Sequence, residues 1–128
     1  MNTLTTQGIE ISVKTNFNRN HSNIHQNIFF YNYLIEIKNT SKNNVQLINR
    51  EWYINDSLDS IKIIKGEGVI GKRPILLTKE AFKYESGCQL VSEIGYMKGK
   101  YEFLNLSDNS IFEVKIPKFD LIYPYKMN

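Results

Sequence analysis

Hydrophobic and polar positions along this chain repeat with a period of two. Ile9, Ile11 and Val13 alternate with Glu10, Ser12 and Lys14, which is how a strand with one buried face reads. Phe29, Tyr31, Tyr33, Ile35 and Ile37 take every second place in the next apolar run. Their aromatic and β-branched character predicts a long strand. Residues 16–26 between these runs are polar, hold both histidines and predict a loop. The second run ends in the turn-forming cluster Asn39-Thr40-Ser41-Lys42-Asn43-Asn44.

Strand character resumes over residues 45–54, with Trp52 and Ile54 on one face, and again over residues 61–65. Leu76, Phe82 and Tyr84 predict further extended chain, and Glu85-Ser86-Gly87 a bend. Met97, Gly99, Tyr101 and Phe103 share one face of another strand. Phe112, Val114 and Ile116 form the last clear strand, stopped by Pro117. The best helical segment, Thr78-Lys79-Glu80-Ala81-Phe82, is too short to matter. About seven to eight strands at this spacing predict an all-β chain folded as a single-domain antiparallel β-sandwich. A small barrel is the alternative.

The length of 128 residues fits one domain over 1–128, long enough to bury a core without staples. The single cysteine, Cys88, excludes an internal disulfide framework and a Cys-rich zinc site, and points to a reducing compartment. No apolar stretch reaches the roughly 20 residues of a membrane span, and residues 1–7 do not read as a signal peptide. The expected location is the cytoplasm. The net charge of +3 is mild, and the basic residues are scattered, which argues against nucleic acid as the primary partner.

Gly66-Glu67-Gly68-Val69-Ile70-Gly71 matches G-x-G-x-x-G. A dinucleotide fingerprint needs a helix directly after that motif, whereas Lys72-Arg73-Pro74 follows here and Pro74 opposes a helix. Two readings remain. The glycines shape a tight turn or bulge between strands. Alternatively, Gly66, Gly68 and Gly71 cradle pyrophosphate or a nucleotide, with Gly68 and Gly71 donating backbone N–H groups and Lys72 and Arg73 supplying charge.

No catalytic set emerges. His21 and His25 lie in a polar loop without a third ligand, so no metal or other cofactor is expected. Cys88 reads as a half-buried strand cysteine. The glutamates are separated, and each sits among polar residues. Trp52, the sole tryptophan, suits core packing. Arg50 and Trp52 share parity and would face the same side of a regular strand, which also suits a partner-binding surface.

Taken in order, Asn49-Arg50-Glu51-Trp52, the Gly66 to Pro74 segment, Phe82-Lys83-Tyr84-Glu85-Ser86-Gly87, Gly95-Tyr96-Met97-Lys98-Gly99-Lys100-Tyr101 and Ile116-Pro117-Lys118-Phe119-Asp120-Leu121 resemble the ApaG family. The resemblance covers roughly residues 8–124. Arg73 stands where the family usually has Gln, Thr78-Lys79-Glu80 where it has a Pro-Gly-Glu turn, and Ser92-Glu93 where Thr-Pro is common. The resemblance implies an immunoglobulin-like, fibronectin type III-like sandwich and a small cytoplasmic bacterial protein. It also implies a family linked by name and genetic context to cobalt and magnesium resistance or efflux, and to a neighbouring dinucleoside-tetraphosphate hydrolase. Related domains elsewhere look like protein-interaction modules, and the resemblance brings no catalytic residues with it.

The expected function is therefore a non-enzymatic module that docks a protein partner through edge strands and through Arg50 and Trp52. An exposed edge also suffices to pair two copies of the chain. The alternative is a small-ligand protein binding pyrophosphate or nucleotide at residues 66–71.

Overall fold

The alternating pattern becomes nine strands in the computed structural model, which describes residues 2–58 and 61–126. They are β1 (Asn2–Thr6), β2 (Ile9–Phe17), β3 (Phe29–Asn39), β4 (Val45–Asp56), β5 (Lys62–Glu67), β6 (Ile75–Leu76), β7 (Ala81–Leu90), β8 (Ile94–Asn105) and β9 (Ile111–Ile122). One antiparallel sheet has the order β1-β2-β3-β7, and the other β5-β4-β8-β9 with β6 beside β4. The two sheets pack face to face as an antiparallel β-sandwich of the fibronectin type III-like kind. Inward side chains of both make one core, including Ile9, Ile11, Tyr31, Ile35, Leu47, Trp52, Tyr101 and Phe103.

Several local expectations are corrected. Residues 85–87 do not bend, because β7 runs straight through them and pairs with β3 from Leu90 to Ala81. Gly87 leaves room for the Phe30 ring, whose Cζ would lie 2.4 Å from a Cβ at that position. Pro117 does not stop the last strand. It lies inside β9, where the register with β8 shifts between Met97 and Gly99. A bulge leaves a residue unpaired, so the missing N–H costs no ladder bond. The polar segment Asn2–Thr6 is also a strand, pairing with β2 from Asn2↔Val13 to Thr6↔Ile9.

A second bulge, between Leu47 and Asn49, sets the geometry of β4. Val45 and Leu47 point inward before it; Trp52, Ile54 and Asp56 point inward after it. This one-residue flip puts Arg50 and Trp52 on the inner side and Glu51 on the outer side.

Candidate functional site

The Gly-rich segment is a hairpin. Val69 and Lys72 exchange two backbone hydrogen bonds of 2.8 and 2.9 Å around Ile70 and Gly71. Both central residues have positive φ, 44° and 75°, the requirement of a type I′ turn. Gly68 also has positive φ, 59°, and a Cβ there would sit 2.0 Å from the Lys72 carbonyl oxygen. The anion-binding expectation loses a donor here, because the Gly68 N–H donates to Ile48 O at 2.7 Å. Arg73 is also engaged, with Nη2 3.2 Å from Glu67 Oε2 and Nε donating to Ile48 O at 3.2 Å.

Gly66 serves a different purpose. The Arg50 guanidinium lies over it, so close that a Cβ would meet Cζ at 2.7 Å. Arg50 Nη1 donates to the carbonyl oxygens of Glu67 and Gly68, each at 2.9 Å. Both Nη1 hydrogens are thus committed, and the Nε–Nη2 edge is left outside these bonds. Among the described residues, no carboxylate is ion-paired with Arg50.

Trp52 does not stand on the surface as a partner anchor. It is 3% exposed and packs against Tyr33, Tyr101 and Phe119 with ring centroids 5.5, 6.4 and 5.9 Å away. Gly99 lies opposite it in β8, where a Cβ would come within 3.2 Å of the indole. Arg50 and Trp52 do meet one space, as their shared parity requires. That space is a cleft of about 400 Å³ between the edge strands β5 and β7. From β7 it takes Tyr84, Ser86 and Cys88, and from β5 Lys62 and Ile64.

The cleft's phenols, Tyr33 and Tyr84, and the buried Tyr101 bonded to Tyr84 are held protonated. Burial raises Tyr84 and Tyr101, whose hydroxyls hydrogen-bond each other, although the Arg50 charge acts in the opposite direction on both. Tyr33 is raised in the same way. Burial, with Asp56 second, pushes the Cys88 thiol up to about 11, which makes it a poor nucleophile at neutral pH. Asp56 itself accepts hydrogen bonds from the Val91 N–H and the Ser92 hydroxyl.

A second concavity, of about 460 Å³, lies against the outer face of the β5-β4-β8-β9 sheet. Several of its charges are paired with one another. Glu51 sits 3.2 Å from Lys65 and 3.3 Å from Lys100, and Lys100 reaches Glu113 at 3.0 Å. Burial works to raise the Glu51 carboxyl, but hydrogen bonds from Lys65 and Lys100 outweigh it and the group ends lowered. An ion-paired ladder of this kind suits a solvated sheet face.

The histidines do not converge. His21 Nδ1 contacts Asn18 Oδ1 at 3.2 Å and its ring tilts against Phe30, while His25 lies in the short 3-10 turn Ile24–Gln26. Among the described residues, no three of His, Cys, Asp and Glu gather where they would hold a metal ion. Nor is any helix long and apolar enough to cross a membrane.

Parity in β4 points to Arg50 and Trp52, but nothing local to that strand points to Tyr84, Ser86 and Cys88 as their companions. The alternation of β7 carries that signal, and the turn-like composition of Glu85-Ser86-Gly87 hides it.

Fold and cleft together define a small β-sandwich module with a cleft between the edges of its two sheets. The family model described as the ApaG domain matches residues 19–105, and the chain belongs to that family. It is 37% identical over 120 residues to Protein ApaG of Beijerinckia indica, covering 94% of this chain and 92% of that one. It is 38% identical over 119 residues to Protein ApaG of Brucella anthropi, covering 93% and 91%. The crystal structure of an ApaA protein from Bordetella pertussis superposes with a TM-score of 0.87 at 34% identity, covering 91% of this chain and 94% of that one.

Proposed function

We propose that the chain is a non-catalytic binding module of the cytoplasm that docks an extended segment of a partner protein along β5. The observation that carries this reading is the state of that strand. Among the described residues β5 pairs with β4 alone, so its other backbone edge is unpaired. Ile63 and Ile64 on it are 58% and 44% exposed, flanked by Ile61 and Ile70 at 50% and 54%. An added strand would gain ladder hydrogen bonds from the edge and apolar contacts from alternate side chains. The absence of a nucleophile–base–orienter set among the groups described above supports a binding role.

Ile63→Lys tests this, because a lysine on an edge strand is how sheets block unwanted pairing. Wild type and variant, both shown folded by circular dichroism, are used to capture partners under native conditions. Support is a protein retained by the wild type and lost by the variant, with amide-exchange protection appearing over residues 62–67 in the complex. Equal retention, protection on another strand, or a homodimer dispersed by the variant would overturn the reading.

The pyrophosphate or nucleotide reading at residues 66–71 draws less support. The Gly68 and Lys72 N–H groups and the Arg73 side chain are already bonded within the protein.

A further inference from the structure

We propose that the cleft between β5 and β7 is a binding site for a small organic carboxylate, with Arg50 receiving the carboxylate and the Trp52 side of the cleft receiving an apolar body. This does not depend on strand addition at β5, and either proposal can fail without the other.

The first support is charge. Arg50 and Lys62 line the cleft, and among the described residues no Asp or Glu does. Tyr33 and Tyr84 on the lining stay protonated through burial, so they face an anion as neutral hydroxyls. The Ser86 hydroxyl lies on the same lining. Arg50 also borders the outer concavity with Glu51, Glu67, Glu102 and Glu113, yet among the described residues no carboxylate comes within ion-pair distance of the guanidinium.

The second support is preorganisation. Arg50 is pinned over Gly66 by two carbonyl oxygens bonded to one nitrogen. Its remaining Nε–Nη2 edge is the fork that matches a carboxylate in two parallel hydrogen bonds. An arginine already fixed loses little side-chain entropy on binding.

The third support is the wall opposite the charge. Trp52, Ile54, Val69 and Met97 line the cleft and are buried. Inorganic phosphate offers such a surface nothing and would lose its hydration against it. A monocarboxylate with an aromatic or aliphatic body satisfies both halves of the site.

Trp52 is the only tryptophan and lines the cleft, so its fluorescence is a local reporter there. Benzoate, phenylacetate and hexanoate would be titrated to about 10 mM, the weak end of measurable affinity, beside benzamide and inorganic phosphate. At least one carboxylate should change the emission saturably. Benzamide, with the same ring and no charge, should bind at least about tenfold more weakly. Arg50→Gln should abolish the response. Ile64→Glu alters an exposed side chain on the cleft lining and tests the site without disturbing the Arg50 anchor; it should weaken binding by placing a carboxylate near Arg50. Silence from all three acids, benzamide binding as well as benzoate, phosphate binding as well as either, or an unaltered response in folded Arg50→Gln and Ile64→Glu would overturn the proposal.

Discussion

The two seams between the sheets of this sandwich are finished differently. Along one, β1 lies beside β9: Asn2 Nδ2 donates to Lys118 O at 2.8 Å, and the Lys115 N–H donates to Thr6 Oγ1 at 3.3 Å. Along the other, β5 and β7 stand apart and leave the cleft around Arg50. The bridging strand of the closed seam is almost wholly exposed from Asn2 to Thr5, so a few polar bonds suffice to cover that side. The open seam is built from heavier material, with a buried indole, paired phenols and a guanidinium tied to backbone carbonyls. A gap that admits solvent must keep each of its polar groups partnered or hydrated.

That contrast predicts unequal responses to substitution. Trp52→Ala should cost the most, about 3–5 kcal/mol in urea unfolding, through the cavity left among Tyr33, Tyr101 and Phe119. A loss below about 1 kcal/mol would show that the open seam closes up around the hole.

Gly68→Ala should cost about 2–3 kcal/mol. Its methyl would collide with the Lys72 carbonyl at a positive φ. The substitution is therefore not a clean probe of ligand binding at the loop, and a variant as stable as wild type would show that the hairpin can be remade.

Cys88 tests how dry the cleft wall is. Burial raises its thiol from 9.0 to about 11, so between those values the folded state holds a proton that the unfolded chain has released. Its stabilising contribution is complete below about pH 9 and is lost as pH rises through about 11, by on the order of 2 kcal/mol. Melting temperatures across that range should fall more steeply for wild type than for Cys88→Ala. Parallel slopes would mean that water reaches the thiol freely.

Thr6→Val should have the smallest effect, about 0.5 kcal/mol, because it removes one exposed hydrogen bond from the closed seam. A cost matching that of Trp52→Ala would erase the distinction between the seams.

Much of the framework is legible in alternation. β2, β3, β4 and the inward face of β8 read directly from residues such as Ile9, Tyr33, Trp52 and Tyr101, since a buried face imposes period two. β1 was not legible because Asn2, Thr3, Leu4 and Thr5 all face solvent, so no alternation is demanded of them. Gly87 and Pro117 look like breakers because a glycine beside Phe30 and a proline seated in a bulge are indistinguishable in sequence from residues that end strands. The shared side of Arg50 and Trp52 was readable because the β4 bulge lies before both. The cleft was not, since it joins β4, β5 and β7 across a gap that no local pattern encodes. Nor does the motif at residues 66–71 reveal that one glycine supports Arg50 while Gly68 and Gly71 shape a hairpin.

The closed seam also bears on how the chain folds in time. The Thr6–Lys115 contact joins positions 109 residues apart, so nearly the whole fold lies within the loop it closes. Such a contact yields nothing until the entropy of that closure has been met, which places it late and puts folding in the slow regime of nonlocal β proteins, roughly milliseconds to seconds. During synthesis, β9 leaves the ribosome after the other eight described strands, and until it does the nascent sandwich has two open sides.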